Sequence, residues 1–222
     1  MNILVIGAGS DIGKQIAIRL STGNIITGTY YNSPIEAGTC AGNFFQCNLT
    51  SKTQICNLIH QVPYRIGLIV TAAMPFIEGD SFDYNKYLEI EAILRGHIYL
   101  LCQLKQQEKL SPDCRIINML GQCVERGIPG AAFYSAAFAF LHNWGHSVNG
   151  KEGKAGEISV CDLLLGPVDT REWANLSTET LARYSTRVKQ FLTVEDVADA
   201  VHYISNMEVM PSTFKWDSYY GY

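Results

Sequence analysis

Residues 3–13 read ILVIGAGSDIG, an apolar run that breaks into glycines at positions 7, 9 and 13 and then enters a helical pattern over 16–20. A turn of this kind, from a buried strand into a helix, lets the backbone approach a pyrophosphate while the helix start supplies amides and a partial positive charge. A tight strand–helix turn that binds nothing accounts for the same glycines. Position decides more than the glycines do, because the run follows directly on an apolar strand. Gly7, Gly9, Ser10, Asp11, Ile12 and Gly13 are the candidate phosphate-side residues.

Working outward, short apolar runs recur at 2–6, 25–30, 43–47, 67–71, 115–119 and 158–164. Their near-continuous hydrophobicity suits strands of a parallel sheet covered on both faces. Helical patterns fill the gaps at 12–21, 51–61, 83–108, 132–149 and 194–206. Thr193 and Asp196 form a capping start for the last of these, since a threonine oxygen accepts from free helix amides. The alternation predicts an α/β chain, a Rossmann-like doubly wound parallel sheet in three layers, α/β/α. No linker or repeat interrupts it, so 1–222 reads as one domain, with 149–156 as a turn.

Bulk properties exclude several classes. The 222 residues are 47% hydrophobic with net charge −4, enough for a sizeable core and unsuited to nucleic acid or an anionic membrane. The sequence holds no apolar run of the roughly 18 residues needed to cross a bilayer. The start lacks a signal-peptide pattern, and the seven cysteines are scattered, which together suggest reduced thiols in a cytoplasm. Histidines 60, 97, 142, 146 and 202 show no convincing ligand spacing, so no metal is expected.

The glycine spacing resembles that of the short-chain dehydrogenase/reductase family, with Asp11 in place of the middle glycine. The resemblance continues in order along the chain. TYYNSPIEA (29–37) is similar to the adenosine-ribose end of members that take NADP, which implies roles for Asn32 and Ser33. CNLTS (47–51) puts Asn48 where the family has an aspartate beside adenine, and VTAAM (70–74) puts Ala72 and Ala73 in the segment after the fourth strand. RIINMLGQCVERGIPGAAFY (115–134), LLLGPVDT (163–170) and LTVEDVADAVHYI (192–204) track the active-site segment, the segment after the sixth strand and the last long helix. The resemblance implies NADP as cofactor, a small-molecule substrate, and a homodimer or homotetramer built on the fourth and fifth family helices.

It also implies a catalytic set of serine, tyrosine, lysine and asparagine. Tyr134 fits the tyrosine; Gly121 stands thirteen residues earlier for the serine and Phe138 four residues later for the lysine. The asparagine slot falls near 91–93 and holds no asparagine, which makes Glu91 the candidate acid or base there. Without the lysine, a tyrosine titrating near pH ~10 is ionised in about one molecule in 10³ at neutrality. A lost oxyanion donor costs on the order of 10²–10³ in rate. Ordinary alcohol dehydrogenation is therefore not expected.

Three readings follow: an NADP(H)-linked oxidoreductase with a degenerate site, a non-redox enzyme (isomerase, dehydratase or cyclase) on the same scaffold, or a catalytically silent binding module. Tyr134 serves as acid in the first two and as a packed core tyrosine in the third. The stretch 170–192 corresponds to the family's substrate lid and carries Arg171, Arg183, Arg187 and Lys189 among Trp173, Tyr184 and Phe191. Such a lid suits a carboxylate or phosphate, and a solvated amphipathic helix explains the same residues.

Overall fold

The computed structural model describes residues 1–36, 38–149, 158–185, 188 and 190–216, without the side chains of 175 and 183–185. Seven strands form one parallel sheet: β1 (Asn2–Ile6), β2 (Ile25–Tyr30), β3 (Gly42–Gln46), β4 (Ile66–Thr71), β5 (Leu110–Gly121), β6 (Ser159–Leu165) and β7 (Thr213–Trp216). Their order is β3-β2-β1-β4-β5-β6-β7, so the chain reverses direction across the sheet between β1 and β4. Open α/β sheets bind ligands at such a switch point, beyond the carboxyl ends of the strands.

Helices α1 (Asp11–Leu20), α2 (Lys52–Gln61), α3 (Tyr84–Gln106), the single turn α4 (Cys123–Arg126), α5 (Ala132–Asn149), α6 (Thr178–Ser185) and α7 (Val194–Ser205) flank the sheet. One apolar cluster joins α1 and α7 to the sheet through Ile16, Leu20, Val197 and Val201. The other joins α2 and α3 through Ile55, Ile59, Leu100 and Leu104. The inner strands β1, β4 and β6 are buried on both faces, as their apolar runs require, while the edge strands β3 and β7 are partly exposed. Thr193 and Asp196 form the full capping box at the start of α7.

The structure departs from the sequence expectation where the signals are short. β7 is a four-residue strand, TFKW, paired in parallel to β6 through Asp162–Thr213 and its neighbours. Its length gives little periodicity to read. β5 begins five residues early, at Leu110, and pairs Ile66 across an irregularity in register. The lid forms a 3-10 turn over Arg171–Asn175 followed by α6. Of its predicted basic residues, Arg187 and Lys189 lie outside the described residues, as do the side chains of Arg183 and Tyr184 and most of the turn over 149–156.

Candidate functional site

The glycine loop occupies the switch point. Gly7 takes a left-handed φ of +88°, and a β-carbon there would stand 2.7 Å from the Ala72 carbonyl oxygen and from the Ala73 β-carbon. On Gly9 a β-carbon would collide with the Ser33 carbonyl, and on Gly13 with the Gly7 carbonyl. Each glycine is thus demanded by close approach of the chain to itself. Ser10 caps α1: its hydroxyl accepts from the Gly13 amide at 3.0 Å and donates to the Gly7 carbonyl at 2.9 Å. The Gly7 amide in turn donates to Thr29 Oγ1 at 3.0 Å. Ile12 leans into the core cluster beside α1.

Gly13→Ala is expected to destabilise the protein by about 1–3 kcal/mol, because the added methyl meets backbone, which cannot swing aside as a side chain can. Urea denaturation measures it; a loss below about 0.5 kcal/mol would mean that the turn relaxes freely.

Asp11 stands in the first turn of α1, where its charge gains from the helix dipole. The lid reaches it. The Arg171 amide donates to Asp11 Oδ2 at 2.8 Å and the guanidinium Nε to Oδ1 at 2.6 Å. A second tie joins the lid to the loop after β4, where Glu78 accepts hydrogen bonds from Ser177 and Thr180. Glu172 lies beside these ties. Partial burial first, and the Asp11 charge second, raise its pKa, against a hydrogen bond from the Phe76 backbone. Its side chain still reaches solvent, so screening keeps the effect modest. The segment after β6 is thus tied to both acids, Asp11 and Glu78.

Asn32 and Ser33 are exposed at the end of β2, and the Ser33 carbonyl packs over Gly9. Asn48 Oδ1 accepts from both the amide and the hydroxyl of Thr50, each at 2.9 Å, so the side chain is fixed by its own turn. The Ala72 amide donates to the Ile6 carbonyl at 2.7 Å, which binds the segment after β4 to β1. The Ala73 carbonyl meets His97 Nε2 at 3.0 Å. Burial lowers the His97 pKa, so a neutral ring donates through Nε2. Among the described residues, His97 Nδ1 is buried without a hydrogen-bond partner.

Tyr134 projects from α5 into an aromatic and aliphatic nest. Its ring centroid lies 4.4 Å from Phe138 and 5.1 Å from Phe76. Phe138 is 4% exposed and packs with Leu120, Cys123, Leu141 and Leu164. A β-carbon on Gly121 would come 3.4 Å from the Phe138 ring and 3.3 Å from Cys123 Sγ. The two positions therefore meet: the benzyl group of Phe138 covers the space beside Gly121. The thiol of Cys123 is pushed up to about 12 by burial, so it is an inert core group.

Glu91 does not join this nest. Its carboxylate pairs with Arg95 at 3.3 Å, one turn along α3. The α3 side chains packed beside Tyr134 are Ile90, Ile93 and Leu94. The sequence expectation set Glu91 in the site; the structure pairs it with Arg95 on the same helix, while Ile90 and Leu94 pack beside Tyr134.

The sequence matches no family model and no curated protein. Solved structures do match. A short chain dehydrogenase family protein from Francisella tularensis has a TM-score of 0.82 at 16% identity, over 98% of this chain and 97% of that one. A dehydrogenase/reductase from Sinorhizobium meliloti has a TM-score of 0.83 at 19% identity, over 98% and 93%. A variant of actinorhodin polyketide ketoreductase with NADPH has a TM-score of 0.80 at 20% identity, over 98% and 95%. The chain has the short-chain dehydrogenase/reductase fold, a Rossmann-like three-layer α/β/α sandwich. Among the described residues no helix is long and apolar enough to cross a membrane.

Proposed function

We propose that this chain is an NADP(H)-linked reductase with a reduced catalytic set, acting on a small carbonyl compound with Tyr134 as its acid. The observation that carries the reading is the glycine turn of Gly7 and Gly9 leading into the capped start of α1, at the switch point between β1 and β4. Helix amides and bare α-carbons there suit a pyrophosphate. The phosphate end of such a cofactor fits the residues present: Gly7, Gly9, Ser10, Asp11, Ile12 and Gly13 would hold it, with Arg171 offsetting the Asp11 charge. Asn32 and Ser33 would meet the adenosine ribose, Asn48 the adenine, and the backbone of Ala72 and Ala73 the middle of the molecule.

The nicotinamide end fits less well, because Phe138 offers a ribose no hydrogen bond. The cofactor would contribute a hydride. The chain contributes the phenolic proton of the half-buried Tyr134, given up to the substrate oxygen beside the rings of Phe76 and Phe138. Reduction needs the protonated phenol, the ordinary form of a tyrosine near neutrality. Alcohol oxidation needs the phenolate, a form that the Phe138 ring does not stabilise as an ammonium would.

A non-redox reading, acid-catalysed isomerisation, dehydration or cyclisation, is favoured by one specific observation. Glu172 and Tyr134 both contact Phe76, one at its backbone and the other at its ring. That places a second acid near the first. In either reading the protein works in the cytoplasm without nucleic acid, and assembles through α3 and α5. Tyr84, Tyr87, Leu88 and Phe140 on these helices are exposed.

Calorimetry with NADPH and NADH tests the first reading. NADPH is expected to bind, and Tyr134→Phe to lower NADPH-dependent reduction of a panel of simple ketones and aldehydes by about 10²–10⁴-fold with cofactor affinity unchanged. No binding at millimolar cofactor removes the reading, and turnover that persists in nucleotide-free protein establishes the other.

A further inference from the structure

On the part of α5 beyond Tyr134, two histidines and a buried aspartate converge. His142 and His146 are one turn apart on the helix, and β6 sets Asp162 against them. We propose that His142, His146 and Asp162 form a binding site for a divalent transition-metal cation, with Zn2+ the best match to the donors.

The geometry is close to what such an ion needs. His142 Nδ1 lies 2.9 Å from Asp162 Oδ2, and the ligand atoms of all three residues fall within 4.8 Å of one another. A tetrahedral zinc with bonds of 2.0–2.2 Å holds its ligand atoms about 3.4 Å apart. Entry thus requires the His142–Asp162 contact to open by about half an ångström and His146 to draw inward. The two rings stand edge to face, 4.4 Å apart at 80°.

The surroundings support the ligands from behind. Asn118 Nδ2 donates to Asp162 Oδ1 at 2.8 Å, leaving Oδ2 turned to the histidines. Thr71 Oγ1 donates to Asn118 Oδ1 at 3.2 Å and fixes that amide. Thr213 Oγ1 lies 3.2 Å from His146 Nε2 and orients the outer ring. Outer partners of this type set ligand orientation in metal sites. Gly145 makes room: a β-carbon there would come 3.2 Å from both Asp162 oxygens, so only glycine lets the helix sit this low on the carboxylate.

Charge and access agree with geometry. Asp162 is fully buried, and burial raises its pKa against the pull of Asn118 and His142. A buried carboxylate held in this way gains from a nearby cation. Imidazole with one carboxylate suits zinc, cobalt or nickel and disfavours magnesium, which prefers oxygen. His146 is exposed, which gives the ion a way in, and three protein ligands leave a fourth position for water. The site ties α5 to β6 near the β7 edge, and its expected role is to hold that edge together. The sequence expectation of no metal is revised here, because the aspartate lies on another element and only the fold brings it to the histidine pair.

The test uses the full chain stripped with a chelator and desalted. Co2+ is expected to bind saturably with the visible absorption of a tetrahedral nitrogen–oxygen site, and Zn2+ to displace it. At Zn2+ about a hundredfold above its Kd the melting temperature should rise by about 5–10 °C, while Mg2+ gives no shift. His146→Ala, at an exposed position where folding is not at risk, is expected to weaken binding by at least about 100-fold, beyond what loss of an outer-shell partner costs. His202→Ala should leave it unchanged. A thiolate charge-transfer band, binding that survives both His146→Ala and His142→Ala, or no saturable Co2+ signal would each overturn the proposal. None of these readouts depends on catalysis or on nicotinamide binding.

Discussion

Phe138→Lys, the change that would restore the family's lysine by sequence, is expected to lower the unfolding free energy by about 3–5 kcal/mol and to yield no gain in turnover. Phe138 is 4% exposed, and its ring fills the space among Leu120, Cys123, Leu141 and Leu164. Removing a buried ring leaves a cavity, and an ammonium in that nest must either shed its proton or drag the chain outward to reach water. In a domain of this size the loss corresponds to a drop of roughly 6–20 °C in melting temperature. Gly121→Ser alone faces a related conflict, since its β-carbon would arrive 3.3 Å from Cys123 Sγ and 3.4 Å from the Phe138 ring. Phe138 and Gly121 in contact are therefore expected to couple: the double variant, with the ring gone, loses less than the sum of the two single changes. Thermal and urea denaturation of the four proteins measure this cycle. A Phe138→Lys variant as stable as the parent would show that the ring is not part of the core.

That contact also shows where reading the sequence stops. The glycine at 121 and the phenylalanine at 138 were plain in the sequence, and the resemblance set them at the family's serine and lysine positions. Their mutual compensation was not, because it depends on the ring crossing from α5 to the end of β5. The sheet was legible for a similar reason in reverse. The central strands β1 and β4 are nearly unbroken runs of Ile, Val and Leu, and burial on both faces leaves few other readings. β7 escaped notice because Thr213–Trp216 is four residues long. The pairing of Glu91 with Arg95 was not legible, because a helix position fixed only to within a few residues does not fix its face. Asp11 was recognised as an oddity in the glycine loop, yet its partner Arg171 lies 160 residues away. Long-range polar pairs of this sort carry no local pattern.

Asp162→Ala is expected to cost about 3 kcal/mol in metal-free protein, against about 1 kcal/mol for Asp162→Asn. The carboxylate is fully buried and accepts from Asn118 Nδ2 at 2.8 Å and His142 Nδ1 at 2.9 Å. Since Asn118 also accepts from Thr71 Oγ1 at 3.2 Å, one chain of polar side chains crosses β4, β5 and β6 and ends on α5. Alanine removes the acceptor at the end of that chain and leaves the buried Asn118 amide without it, a penalty of about 1–3 kcal/mol for one group. The partly exposed His142 adds less, because water can reach it. Asparagine keeps an oxygen for Asn118 and presents its own amide to a neutral His142, so the shape and most of the bonding survive. Chelator-treated protein in urea measures both variants, and equal losses from the two would mean that packing beside Gly145, rather than hydrogen bonding, governs the position. The same pair separates structure from metal binding: Asp162→Asn stays folded while losing the anionic ligand, so its melting temperature should no longer respond to Zn2+.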